Sequence, residues 1–409
     1  MKILQFGEGV FLRGFLEPMI ETMNRRGFGG EVYAVKPRPG RPDPAFAAQG
    51  GRYHVLTRGI AAGRAVDEIS EITCLKRVFS SSEEWPEIEK LALDPALGAI
   101  FSNTTEAGIR FAPGDATSFP YQLARLLAAR ARTGAPGLDI LPCELIERNG
   151  ATLRSYVLRH LADDPAGRRY AAEKCVFYDT LVDRIVGGHT ADAAAAFPED
   201  PLAVAAEPFA FFAVQAPASL RERLPLPPET ALFASDIAPY RIRKLRCLNA
   251  SHTAMAAAGR LAGYAEVGEL LADPAFRRRI EETLFGEILP TIPLPEAEKS
   301  AYARSVLERF ANPFAHHRLE AILLQSAAKW RTRILPIVRE SPHLPPYLAR
   351  SLGELFALYR RFGAAGESPE TAARFASADD DALLADETLW GMDLRTIPGL
   401  AAAVAAVRT

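Results

Sequence analysis

In the first half of the chain, apolar residues fall into short continuous runs separated by longer amphipathic stretches. Ile3-Leu-Gln-Phe6 reads as a buried strand, followed by Gly7-Glu-Gly9 and an amphipathic helix to about Arg26. Glu31-Val-Tyr-Ala-Val35 is a second strand, closed by the proline-rich Lys36-Pro-Arg-Pro-Gly40. Residues 53–57 and 69–79 read as extended, 85–92 as helical, and 97–101 as an apolar strand. Residues 121–132 and 149–161 read as helices, with short strands at 138–141 and 175–177. Strands alternating with helices predict an α/β fold, a Rossmann-like doubly wound and mostly parallel sheet. Residues 221–240 are rich in proline and carry no long periodic segment, which puts a boundary near 235. Beyond it the period is helical throughout, at 243–263, 265–287, 295–311, 313–338, 345–362 and 368–385. A dinucleotide-binding domain at 1–235 and an all-helical substrate and catalytic domain at 236–409 are expected.

The 409 residues are 48% hydrophobic, enough for two substantial cores. A net charge of −2 gives no electrostatic case for nucleic acid or an anionic membrane. No apolar run reaches the ~18 residues of a membrane span. Cys74, Cys143, Cys175 and Cys247 form no Cys-x-x-Cys pair, and no leader precedes the first strand. A reduced cytoplasmic setting is therefore expected. There is no His-Glu-x-x-His, and adjacent His316-His317 is poor chelation geometry on one helix, so no metal is expected.

The turn Phe6-Gly-Glu-Gly-Val-Phe-Leu-Arg-Gly14 joins the first strand to the first helix, where a dinucleotide's pyrophosphate would meet a helix N-terminus. Gly7 permits the tight turn and Gly9 lets the backbone approach phosphate. The usual third glycine position is Leu12, so the motif is partial. Arg13 could face phosphate or lie on the solvated helix face. The second strand should end in an acid for the adenosine ribose, but it ends in Lys36-Pro37-Arg38. By charge that suits the 2′-phosphate of NADP, unless these residues only border the adenine pocket.

Eight of the 48 basic residues are lysine, and one stands in Arg241-Ile-Arg-Lys-Leu-Arg-Cys-Leu-Asn-Ala-Ser-His-Thr253. At about 100° per residue, His252 lies about 80° and Asn249 about 140° from Lys244, on one helix face. A lysine of tunable pKa, an amide and an imidazole suit proton transfer to a carbonyl oxygen. A basic helix entry with a satisfied histidine is the plainer alternative.

Several separated stretches together resemble the mannitol dehydrogenase family of metal-independent polyol and uronate dehydrogenases. They are Gln5–Arg13, Ser102–Ile109, Pro142-Cys-Glu-Leu-Ile146, Leu181–Ile185, Lys244-x4-Asn249-x2-His252, Arg309-Phe-Ala-Asn-Pro313, Arg331–Pro336 and Leu389–Leu394. The resemblance implies Lys244 as general acid/base, Asn249 as oxyanion donor and His252 as orienting group. It implies NAD(H), with NADH preferred despite Lys36 and Arg38. Phe6, Gly7, Gly9, Phe11, Arg13 and Arg38 would serve the cofactor, with Asn103, Thr105 and Glu106 beside the nicotinamide. Asp183 and Glu144 would serve the substrate. Leu145 stands where mannitol dehydrogenases carry a second oxyanion asparagine, which argues against mannitol. The members most similar act on ketouronates, tagaturonate being reduced to altronate, and a uronate needs a cation for its carboxylate. Arg309, Arg331 and Arg333 are candidates, with Lys329 and His316 behind them, and Arg309 is favoured by its context. Fructuronate or a mannitol/fructose pair is the nearest alternative. A non-catalytic dinucleotide-binding module is more remote, because the Lys-Asn-His set is intact.

Overall fold

The computed structural model describes residues 1–104, 108–364 and 366–407. These fall into two units, one of residues 1–58 and 66–237, the other of residues 59–65 and 238 onward.

The first unit contains β1 (Lys2–Phe6), α1 (Val10–Arg25), β2 (Glu31–Lys36), β3 (Tyr53–Ala61), β4 (Arg64–Ile72), β5 (Leu75–Ser80), β6 (Leu97–Ser102), β7 (Asp139–Pro142), β8 (Val176–Phe177), β9 (Thr180–Asp183), β10 (Val186–Gly188), β11 (Val204–Ala206), β12 (Phe211–Gln215) and β13 (Ala231–Ala234). Six of the strands form a parallel sheet in the order β5-β2-β1-β6-β7-β8. Counted along the chain within this sheet, that is the 3-2-1-4-5-6 order of dinucleotide-binding folds, whose strand order reverses between β1 and β6. Helices cover both faces, so β1 is buried on both and reads as an apolar run. Ile3 joins Phe15, Leu16 and Met19 of α1 on one face, while Leu4 and Phe6 join Ile88, Leu123 and Leu127 on the other.

Residues 69–79, expected as one extended stretch, divide between β4 and β5. Glu21 of α1 accepts the Thr73 and Cys74 N–H groups at 2.8 and 3.1 Å, holding the chain where it leaves one sheet for another. Two small sheets, β10-β11-β3-β4 and β13-β12-β9, complete the unit. Most of their later strands are only three to five residues long, too short for periodicity to disclose. β13 itself lies within the proline-rich 221–240 stretch.

The second unit is helical apart from residues 59–65. There the Ala62 and Gly63 N–H groups donate to Glu308 at 3.2 and 2.7 Å. The helix expected at 243–263 consists of Ala238–Arg243, a π-helix at Lys244–Ala250, and Ser251–Leu261. The expected 265–287 helix breaks at Asp273-Pro274 and ends in a second π-segment, Thr283–Ile288. The expected 313–338 helix breaks where Gln325 adopts φ 55°, then runs through Ser326–Lys329, a π-helix at Trp330–Ile334, and Leu335–Glu340.

No helix among the described residues is long and apolar enough to cross a membrane. All four cysteines are buried free thiols. Burial pushes Cys175 up to about 11 and Cys247 to about 12, so neither is a thiolate nucleophile at neutral pH.

Candidate functional site

The glycine turn lies at the strand-order reversal. Gly7 has φ 113° and donates its N–H to Val35 at 2.8 Å, while the Asn103 N–H donates to the Phe6 carbonyl at 2.9 Å. A Cβ at Gly7 would stand 2.7 Å from the Asn103 oxygen, so any side chain is excluded. A Cβ at Gly9 would meet nothing within 4 Å among the described residues. Gly9 caps α1, whose first-turn N–H groups receive no side-chain cap. Open space over uncapped donors fits a pyrophosphate. Leu12 is buried in the core, and the close-packing role of a third glycine falls to Gly14, where a Cβ would lie 2.6 Å from Val186 Cγ1. The turn is held from beneath: Gln5 Nε2 donates to the Gly7 carbonyl and to Glu17, each at 2.9 Å. Tyr53 donates to the same buried carboxyl at 2.7 Å, and burial raises Glu17 above the usual carboxylate range.

One cofactor expectation needs correction. Arg13 does not face phosphate: it is buried, donates to the Leu202 carbonyl, and lies over the Phe46 and Tyr53 rings. The Phe6 side chain is core, packed on Phe119 at 4.7 Å, and Phe11 stacks on Phe15 at 5.0 Å. Arg38 is exposed beyond β2.

At the C-terminal ends of β6 and β7, Glu144 is buried and accepts from Ser102 Oγ, Thr104 N and Thr104 Oγ1 at 3.0, 2.8 and 3.0 Å. Both its oxygens are thus engaged, one by Ser102 at the end of β6 and the other by Thr104 beyond it, so the carboxylate positions this stretch of chain. Burial raises Glu144 above the usual carboxylate range, with those hydrogen bonds opposing. Asn103 Nδ2 donates to the Cys143 carbonyl at 3.0 Å. Thr105 and Glu106 lie outside the described residues. Asp183 is buried at the end of β9, paired with Phe211 across the ladder.

In the second unit, Lys244 and Asn249 stand in the π-helix Lys244–Ala250. A π-helix bonds residue i to i+5, so the two side chains are one turn apart on one face rather than about 140° apart. The segment is anchored on either side of the lysine. Arg243 is buried, reaching Glu298 at 3.2 Å and lying over the Tyr302 ring. Arg246 donates to the Thr291 carbonyl at 2.8 Å and to Glu340. Just beyond, Ser251 Oγ donates to the Cys247 carbonyl and Thr253 Oγ1 to the Asn249 carbonyl at 2.9 Å, satisfying acceptors where π geometry returns to α. Arg333 donates to that Thr253 hydroxyl at 3.2 Å, linking it to the Asn249 backbone.

His252 packs on Phe310 at 4.3 Å and edge-on against His317 at 5.6 Å. Its Nε2 is buried with no hydrogen-bond partner among the described residues. Burial first, then His317, Arg309, Arg333 and Lys329, holds His252 well below the usual histidine range. Burial and Arg309 lower His317 too. The arrangement is two neutral imidazoles among three cations. Arg309 is itself buried. By contrast, Arg331 is exposed and reaches the Leu389 carbonyl at 3.4 Å, and exposed His316 meets Glu266 at 3.2 Å. His317, dismissed in the sequence with its neighbour as a poor chelating pair, is the histidine that faces His252. Only the fold separates the two.

These depressed histidines carry a pH signature. The unfolded imidazole titrates near 6.5 and takes up a proton that the folded one resists. Stability is therefore present above that pH and lost as pH falls. A melting series from pH 8 to 5 should show Tm falling below about 6.5, with a shallower fall in His252→Asn. An unchanged slope in the variant would refute the assignment.

Residues 1–227 match the family model of the Mannitol dehydrogenase Rossmann domain, and residues 236–407 that of the Mannitol dehydrogenase C-terminal domain. The chain is 38% identical to an altronate oxidoreductase of Halalkalibacterium halodurans, covering 88% of this chain and 75% of that one. It is 35% identical to an altronate oxidoreductase of Klebsiella pneumoniae, covering 99% and 93%. A substrate-free D-sorbitol dehydrogenase shares the fold at TM-score 0.80 and 19% identity, over 99% and 91% of the two chains. Pseudomonas fluorescens mannitol 2-dehydrogenase, solved with NAD and D-mannitol, does so at 0.74 and 19%, over 99% and 90%.

Proposed function

Because the chain belongs to the mannitol dehydrogenase family, and so is an oxidoreductase acting on CH–OH groups, we propose that it reduces D-tagaturonate to D-altronate with NADH in the cytoplasm. The observation that carries the choice of a charged sugar is the group of Arg309, Arg333 and Lys329 around His252. An uncharged polyol has no use for three cations, whereas a carboxylate is held well by an arginine fork. The altronate oxidoreductase relatives support the same reading.

NADH, when bound, supplies the hydride that reduces the ketone carbon. Gly7, Gly9 and the first turn of α1 would hold its pyrophosphate. Lys244 donates a proton to the carbonyl oxygen, which stays on its carbon and becomes the new hydroxyl, and takes one back in the oxidative direction. Asn249, on the same π-helix face, donates a hydrogen bond to that oxygen as negative charge develops. With Leu145 replacing a second amide, Asn249 carries that task among the side chains named, and Asn249→Ala should lower kcat about 10²-fold or more. Neutral His252 can offer one donor and one acceptor to the sugar hydroxyls. NADH oxidation against a panel of ketouronates and ketoses tests the whole reading. Tagaturonate should lead, and fructuronate leading instead would transfer the assignment to that sister substrate.

A further inference from the structure

We infer that Glu8, inside the glycine turn, sets the preference for NADH over NADPH. This rests on the turn being the dinucleotide seat. In doubly wound folds an acid near the end of the second strand bonds the adenosine ribose hydroxyls, and a basic residue nearby accommodates a 2′-phosphate. Here β2 closes on Lys36, Arg38 follows, and no acid occurs between Glu31 and Asp43. By sequence, that end of the strand is wholly basic.

The fold brings an acid there from another segment. β1 and β2 pair in parallel with Phe6 opposite Val35, and the Gly7 N–H is bonded to the Val35 carbonyl. The residue after Gly7 therefore falls beside the residue after Val35. Glu8 Oε1 stands 3.9 Å from Lys36 Nζ, and both side chains are mostly buried, at 20% and 25% exposure. Glu8 is flanked by Gly7, with φ 113°, and by Gly9, over which the space is open. Its carboxylate restrains the lysine and can accept from the ribose 2′-hydroxyl. Toward a 2′-phosphate it presents a like charge, and such juxtapositions reject the wrong partner.

Glu8→Gln keeps the shape and removes the charge. The ratio of kcat/KM for NADPH over NADH should rise about tenfold or more, equivalent to about 1.4 kcal/mol. Most of the change should lie in KM for NADPH. Adding Lys36→Met to that variant should cancel the gain, because the freed lysine is what meets the phosphate. Lys36→Met alone should lower NADPH use further. If Glu8→Gln scales both cofactors equally, Glu8 only shapes the turn and the inference is overturned. The underlying reading is tested separately by NADH fluorescence titration of Gly9→Val. Unweakened binding there would mean that the turn is not the seat, and both would fall. Weakened binding with a flat Glu8→Gln ratio would overturn the role of Glu8 alone.

Discussion

A Lys244→Ala enzyme should lose about 10²–10⁴-fold in kcat while binding NADH nearly as tightly as the parent. Proton donation is needed only as charge develops on the carbonyl oxygen, so its loss falls on the transition state rather than on the ground-state complex. The surroundings make the test clean. Arg243 and Arg246 hold the π-segment from either side through Glu298, the Thr291 carbonyl and Glu340. Truncating the lysine between them leaves those two anchors in place. Single-turnover reduction and NADH fluorescence titration measure the two quantities separately. A near-parental single-turnover rate would remove Lys244 from the chemistry.

Arg309→Ala should raise KM for tagaturonate sharply and leave an uncharged ketose such as fructose almost unaffected. Truncating one partner of a buried, hydrogen-bonded charge pair costs about 2–5 kcal/mol, roughly 30-fold to several thousand-fold in affinity. Arg309 is only 3% exposed, so Arg309→Lys is the companion. It keeps the charge, loses the bidentate fork, and should recover part of the effect. Thermal melts of both variants separate a lost contact from a lost fold. If the parent enzyme reduces fructose as efficiently as tagaturonate, there is no carboxylate subsite and a polyol substrate replaces the uronate.

The parallel sheet was legible because each of its first strands is buried on both faces and reads as an apolar run between helices, as Ile3–Phe6 and Leu97–Phe101 do. The small sheets were not, since three-residue strands such as Val204–Ala206 carry no period. Among the candidate residues, spacing placed Lys244, Asn249 and His252 in one run but misjudged their angles, because a π-turn leaves no mark in composition. Charge alone suggested that Arg13 faced phosphate; only the fold shows the Leu202 carbonyl claiming it. Glu144 looked available as a carboxylate, and the fold shows it also accepting from Ser102 and Thr104.

A π-turn is an α-turn with one residue to spare, and the surplus is absorbed where it stands. Were the Lys244–Ala250 segment to lose one position, the turn would close to its ordinary pitch and the residues beyond it would keep their phase. The cost of such a loss would fall inside the turn, on the spacing of Lys244 and Asn249 and on the carbonyls that Ser251 and Thr253 now satisfy, while the rest of the helix stayed where it is.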